Sequence, residues 1–230
     1  MKKAISLIEL VFAIVIMGIS VMSLPMILTQ TQEASNLSLR QEAILSVKTK
    51  LAYLLAYHWD ENTYDATADT ERVLNTAGGN AAFNAVGTTL RRVGHIATDG
   101  RRRFWDNATN ASAVLSTEGG DVDADDMDDF NNFIRFPPET KNINAVDDFI
   151  FNLTLTPTIN YIPDNPTVGT YAGNIVRFNF NTGNISANST NIKMIQVTAT
   201  APAASGMNAP ITMFAFSSNI GQSKILRRAW

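Results

Sequence analysis

The sequence predicts an α+β fold: one long N-terminal α-helix, half of it suited to a membrane, packed on a C-terminal antiparallel β-sheet. Three observations predict it. From Leu10 to Leu28 no residue is charged, and 19 residues of helix at about 1.5 Å each span roughly the hydrocarbon core of a bilayer. Residues 29–58 then become largely polar, with apolar positions recurring at helical spacing. From Asp148 onward the pattern changes again, to short alternating segments separated by turn residues.

Composition fits that division. A chain of 230 residues holds one membrane segment and a soluble part large enough to bury a core without staples. Net charge is −3 and the isoelectric point about 5.4, so no global basicity points to nucleic acid, and none is expected as a partner. The absence of cysteine removes disulfides, thiolate metal sites and cysteine nucleophiles together. Only 17% of residues are charged, while Asn, Thr, Ala and Ser are abundant, a composition that suits a β-rich exported domain.

The first 28 residues, MKKAISLIELVFAIVIMGISVMSLPMIL, admit several readings. The apolar run is too long for the h-region of a cleaved secretory signal, and no small-x-small site closes it. A plain signal anchor, with Lys2 and Lys3 keeping the N-terminus cytoplasmic, accounts for everything except Glu9. A buried core helix suits the length least. Glu9 is the lone acid at the edge of the apolar run, and a carboxylate there needs a partner.

The run Lys2-Lys3-Ala4-Ile5-Ser6-Leu7-Ile8-Glu9-Leu10 closely resembles the processing signal of type IV pilins and type II secretion pseudopilins. In that family a short basic leader ends in a small residue, cleavage follows, the new N-terminus is methylated, and a glutamate stands fifth in the mature chain. The resemblance implies cleavage by a prepilin peptidase between Ala4 and Ile5, which makes Glu9 the fifth residue. Ala4 replaces the family's usual Gly, and Ile5 its usual Phe. The implied fold is pilin-like, with a leader at 1–4, a transmembrane half of the helix at 5–28 and an amphipathic half at 29–58. A variable helix and loop region at 59–147 and a sheet region at 148–230 follow.

The resemblance further implies a subunit held in the bacterial inner membrane by a single pass, its domain in the periplasm. From there an assembly platform moves it into a pilus or pseudopilus beside other subunits. Within such a bundle Glu9 pairs with the N-terminal ammonium of a neighbouring subunit, because a carboxylate among apolar helices must be neutralised. Gly18 and Pro25 interrupt the apolar segment, and Pro25 is expected to kink or loosen it.

In the amphipathic half, Leu37, Ile44, Val47, Leu51, Leu54 and His58 follow steps of seven, three, four, three and four, which predicts the stripe that leans on the sheet. Lys48 and Lys50 fall on the polar side. Beyond it, Asp60, Asn62, Asp65 and Asp69 read as helix exit and loop, and Gly78-Gly79-Asn80 as a turn. A short helix is expected over 81–93. Arg91-Arg92 and Arg101-Arg102-Arg103 form a basic block ending in Phe104-Trp105, read as a solvated face or a subunit contact rather than a nucleic-acid site.

Residues 118–129, EGGDVDADDMDD, hold seven acids and no base, and such a cluster repels itself unless cations or arginines compensate. Asp121, Asp123 and Asp125 alternate as at the start of a calcium loop, but Asp126 takes the glycine position and Asn132 that of the bidentate acid. A structural calcium on Asp121, Asp123, Asp125, Asp126 and Asp128 and a solvated or arginine-paired loop both remain open. Met127, Phe130, Phe133, Ile134 and Phe136 are spaced to anchor a short helix beneath, ended by Pro137-Pro138.

Strands are expected at 149–155, 174–180, 192–200 and 211–219, with a hairpin turn at Asn181-Thr182-Gly183-Asn184. Short connections argue for an antiparallel sheet. Trp230, after a basic tail, is expected to dock. No nucleophile elbow, phosphate loop or metal-ligand spacing around His58 or His95 occurs, so the expectation is a structural subunit and not an enzyme. A membrane-anchored periplasmic binding or adhesion domain that never polymerises is the alternative.

Overall fold

The computed structural model describes residues 6–66, 70–83, 94, 109–116, 124–131, 153–201, 207 and 209–221. One helix, α1 (Leu7–Leu54, 48 residues), dominates it, and at 1.5 Å per residue it is about 72 Å long. Its first half, through Leu28, is exposed all round and packs on none of the described residues. The few hydroxyls there turn inward on the backbone: Ser20 Oγ donates to the Ile16 carbonyl at 2.9 Å, and Ser23 Oγ to the Ser20 carbonyl at 2.9 Å. Side chains that would otherwise need water are satisfied within the helix, as an apolar surrounding demands. Pro25 does not end the helix, which runs on to Leu54. Its missing N–H removes one bond of a long ladder that continues on both sides.

In the second half Leu39, Ala43, Val47, Leu51 and Leu54 are buried, at steps of four, four, four and three, which is one face of a helix. The predicted stripe is therefore rotated. Val47, Leu51 and Leu54 belong to it, but Leu37 is 59% and Ile44 45% exposed. The helix carries two neighbouring apolar stripes, and spacing cannot tell which one meets the sheet. Ala43, the smallest member, gives the closest approach, which favours the stripe that contains it. Lys50 is also buried rather than on the polar side. Its Nζ sits 4.8 Å from the ring centres of both Tyr53 and Phe130, where the ring quadrupoles offset part of its lost hydration.

The helix stops at Leu54, four residues before the expected 58. The amides of Ala56 and Tyr57 reach back only three residues, to the carbonyls of Tyr53 and Leu54, a tightening that ends an α-helix. His58 leaves the stripe to form a bridge with Asp126. A short 3-10 turn (Glu61–Thr63) and a small strand pair, β1 (Tyr64–Asp65) and β2 (Thr70–Glu71), follow.

The main sheet is antiparallel, in the order β3 (Thr154–Ile162), β6 (Ile192–Thr200), β7 (Ile211–Ser218). The expected strands at 192–200 and 211–219 match the last two. Of the expected strand at 149–155, Thr154 and Leu155 open β3, which continues past the expected end through Pro157 to Ile162, while 149–152 lie outside the described residues; β3 is an edge of this sheet, and an edge strand tolerates proline. The expected strand at 174–180 shrinks to β5 (Val176–Arg177), paired with β4 (Val168–Gly169) in a ribbon inserted between β3 and β6. The turn at Asn181–Asn184 forms, with Asn184 N–H on the Asn181 carbonyl at 3.1 Å. Residues 149 and 151, 84–93, 133–138 and Trp230 lie outside the described residues.

Inward positions of the sheet, among them Ile159, Ile195, Val197 and Ala199, close over Leu39, Val47, Leu51 and Leu54, with Met127 and Phe130 beneath. A second small cluster, Trp59, Leu74 and Tyr161, lies beside it. Residues 72–80 are strapped across one end of the sheet by buried amides. Leu74 N–H donates to Asn219 Oδ1 at 2.8 Å, and Asn219 Nδ2 to the Leu74 carbonyl at 2.8 Å. The strap passes so close that a Cβ on Gly79 would stand 2.6 Å from Asn191 Nδ2, which explains the glycine turn.

Truncating the buried face should therefore cost far more than truncating the exposed one. Leu54→Ala is expected to lower unfolding stability by about 2–5 kcal/mol, and Leu37→Ala by about 0.5 kcal/mol or less, both read from denaturant melts of the detergent-solubilised chain. Equal losses would contradict the rotated stripe.

Candidate functional site

Two features stand out: the bare half of α1, and a buried knot of charge where α1 ends. Along the first, an 18-residue window reaches a mean hydropathy of 2.5 with none of it buried. The helix is long and apolar enough to cross a bilayer. Glu9 stands in its first turn and is exposed, and a carboxylate at a helix N-terminus is favoured by the local peptide dipoles. It is the only ionisable group from Ser6 to Leu28. Ala4 and Ile5, the expected cleavage pair, lie outside the described residues.

The second feature is built by three segments. The chain leaving α1 supplies Trp59 and Asp60, a 3-10 turn (Asp128–Phe130) supplies two acids, and β6 supplies Lys193. Lys193 alternates with Ile195, Val197 and Ala199 onto the buried face, and its side chain is 0% exposed. Its ammonium donates to the Trp59 carbonyl at 2.5 Å, pairs with Asp128, and lies 3.5 Å from Asp60 Oδ2. Its Nζ is also 4.4 Å from the ring centre of Trp59, so the cation is held on one side by oxygen and on another by π density.

The acidic loop folds around its own carboxylates. Asp126 Oδ1 accepts the N–H groups of Asp128 at 2.8 Å and Asp129 at 3.1 Å, while Asp129 Oδ2 accepts those of Asp125 at 3.0 Å and Asp126 at 3.2 Å. Two aspartates thus cap each other's turn, the reciprocal logic of a capping box. Met127 N–H reaches the His58 carbonyl at 2.9 Å and fastens the loop to the helix exit. Asp60 serves likewise, accepting from Asn62 N–H at 3.1 Å and Ser112 N–H at 2.9 Å.

Of the residues proposed for calcium, Asp126 and Asp128 come together in this knot. Asp125 is exposed at the rim of a cavity of about 460 Å³, also lined by Tyr57, His58, Asp60 and Tyr64. Asp121 and Asp123 lie outside the described residues. Among the described residues, no three Asp, Glu or His side chains converge as metal ligands do. Asp126 Oδ1 and Asp129 Oδ2 accept backbone N–H groups and Asp128 Oδ1 takes Lys193, while the second carboxylate oxygen of each of the three is buried without a hydrogen-bond partner among the described residues.

Sequence reasoning missed Lys193, Asp60, Asp129 and Tyr161. A readable signal was the alternation of IKMIQVTAT, which puts a lysine on the same face as Ile195 and Val197. The arginines at 91–92 and 101–103, and His95, lie outside the described residues.

Four buried carboxylates, on Asp60, Asp126, Asp128 and Asp129, surround one ammonium, and such a group cannot hold every charge. Burial pushes the Asp128 carboxyl up to about 8, against the opposing pull of Lys193 and with Asp126 and Asp60 adding repulsion. Burial pushes Asp126 up to about 6, again against Lys193. Burial and the nearby carboxylates also push the Tyr161 phenol upward, keeping it protonated as it donates to the Ser112 carbonyl at 3.1 Å.

No protein-family model, no curated protein and no solved structure matches this chain.

The raised acids set a pH dependence. The folded state keeps protons that the unfolded chain releases, so it binds more protons and its stability falls as pH rises. Relative to acid conditions, Asp126 weakens the fold from about pH 4 to 6 and Asp128 from about pH 4 to 8. Asp128→Asn, which keeps an oxygen for Lys193, should flatten the fall above pH 6 in melts taken across that range; an unaltered slope would place the proton elsewhere.

Proposed function

We propose that this chain is a pilin-like structural subunit, a minor pilin or pseudopilin, which a prepilin peptidase trims before it joins a type IV pilus or type II secretion pseudopilus. One observation carries the reading. The helix bears a bilayer-length apolar segment that is exposed all round, with one carboxylate, Glu9, in its first turn. The same rigid helix continues into the domain and packs on an antiparallel sheet. A signal anchor alone does not need that carboxylate, whereas a bundle of such helices does, because cleavage before Ile5 leaves an ammonium one turn away that a neighbouring subunit's Glu9 can pair with.

The second apolar stripe supports the same reading. Leu37, Ile44 and Leu45 on α1, and Leu55 just past its end, are exposed next to the buried face, so the helix below the apolar segment keeps surface for neighbours. In this reading the inner membrane stores the subunit with its domain in the periplasm, and an assembly platform later extracts it. The partners are the peptidase, the platform and other subunits of the filament.

Two measurements test it. Intact-mass spectrometry of native protein should show a chain that begins at a methylated Ile5; an uncut N-terminus, or cleavage beyond residue 20, overturns the reading. Glu9→Ala should leave membrane fractionation unchanged while sharply lowering the share recovered in sheared filaments. Undiminished incorporation would remove the role of the ammonium–carboxylate pair.

A further inference from the structure

Lys193 is a primary amine sealed inside the fold, and an amine is a nucleophile wherever an electrophilic carbon lies within reach. Its Nζ contacts Asp128 Oδ1, and the two side chains are 0% and 1% exposed. A nitrogen that touches a carboxyl oxygen stands no more than about 3–3.5 Å from the carboxyl carbon, the separation of a near-attack pair. The Trp59 carbonyl accepts another of its hydrogens. The rings of Trp59 and Tyr161 close over it, with centres 4.4 and 5.3 Å from Nζ. A second acid, Asp60, is also fully buried and brings its Oδ2 to 3.5 Å from Nζ.

These are the parts of an amide synthesis. In water an amine and a carboxylic acid stop at the salt, because hydration favours both ions. Inside the knot that hydration is gone, and a buried ion pair is costly while a neutral amide made of the same atoms is not. Holding the two groups in contact is equivalent to a concentration on the order of 10⁵–10⁸ M. Burial pushes the Asp128 carboxyl up to about 8, so it keeps the proton that makes its carbon electrophilic. Asp128 Oδ2 is buried with no hydrogen-bond partner among the described residues, so none of those bonds breaks when that oxygen departs.

We propose that Lys193 and Asp128 condense into an intramolecular isopeptide bond, with Asp60 as the base. The ammonium passes one proton to Asp60 Oδ2. The freed amine attacks the carboxyl carbon of protonated Asp128, the Nζ–Cγ bond forms and the Cγ–Oδ2 bond breaks. A second amine hydrogen leaves with the Oδ2 hydroxyl as water, and the third stays on the amide. The positive charge of Lys193 and the negative charge of Asp60 cancel, and no oxidant or cofactor takes part. The bond joins positions 65 residues apart and fastens the acidic loop to β6, a covalent staple in a chain that has no cysteine. The pH dependence assigned to Asp128 belongs to the open pair and disappears as the bond forms.

Tryptic mapping of the full detergent-solubilised chain, incubated folded at neutral pH and then denatured, tests it. Trypsin does not cut after an acylated lysine. Residues 178–224 should therefore be recovered uncut and joined to residues 104–135, lighter than the two together by one water. Neither fragment includes the N-terminus, so this result stands apart from the proposed processing at Ile5. Lys193→Met should abolish the joined fragment. Asp60→Asn, shown to be folded by an unchanged circular dichroism spectrum, should slow its appearance about a hundredfold, as loss of a general base does. Fragments that stay separate in the wild type after prolonged incubation overturn the proposal. So does a loss of water confined to one fragment, which marks a cyclised aspartate, or one that persists in Lys193→Met. An Asp60→Asn chain that closes as fast as the wild type refutes Asp60 as the base.

Discussion

The seam between α1 and the sheet is the contact on which the rest of the structure depends. Leu39, Ala43, Val47, Leu51 and Leu54 supply one side of it, Ile195, Val197 and Ala199 the other. Because a single unbroken helix carries both this seam and the bare apolar segment, the seam fixes the direction in which that segment leaves the domain. A hinge between two helices would have left it free. The continuity through Pro25 therefore matters more than the helix propensity of any one residue, since an isolated segment gains its stability from packing or from its solvent.

At the far end of the seam the chain must leave the helix, cross to the small strands and return to the sheet. The Lys193 ammonium gathers these paths: it binds the Trp59 carbonyl at the helix exit and Asp128 of the acidic loop from its place on β6. An apolar side chain at that point would pack as well and avoid the desolvation of the ions, so stability alone does not explain the lysine. Geometry explains more. An ammonium bonds several acceptors at once, and here those acceptors lie 134 and 65 residues away in sequence. The acids then absorb the imbalance of charge by holding protons, which makes the knot sensitive to pH.

How much of this was legible follows from which forces act locally. Bilayer-length hydrophobicity is a property of one segment, so the exposed half of α1 could be read directly. Strand β7 was equally plain, since its burial alternates over eight residues, and β6 was readable from its length and β-branched content although Lys193, Met194 and Ile195 are buried in succession. The orientation of the amphipathic half was not, because Leu37 and Ile44 satisfy the same helical spacing as the buried set, and the choice is made by the sheet. β3 runs seven residues past the expected end at Leu155, to Ile162, because Pro157 reads as a strand breaker while its position at the edge makes proline harmless. The acidic loop was legible only as a cluster of charge: seven acids in twelve residues call for compensation, and that Asp126 and Asp129 act on each other's amides and Asp128 on a lysine supplied from β6 depends on contacts distant in sequence.

That last point separates two uses of charge in one chain. In the domain Lys193 finds its answer among aspartates and a carbonyl, and Lys50 over two rings. Glu9 has no such answer, for no other ionisable group stands on α1 from Ser6 to Leu28. In water it needs none. In a bilayer or a helix bundle it does, and an internal partner would have to reach it across a helix with no other charge. The missing counter-charge must then come from outside this stretch of helix. In the proposed reading a new N-terminus one turn away on an adjacent chain would meet that need with the least distance, and would link processing to assembly through one ion pair.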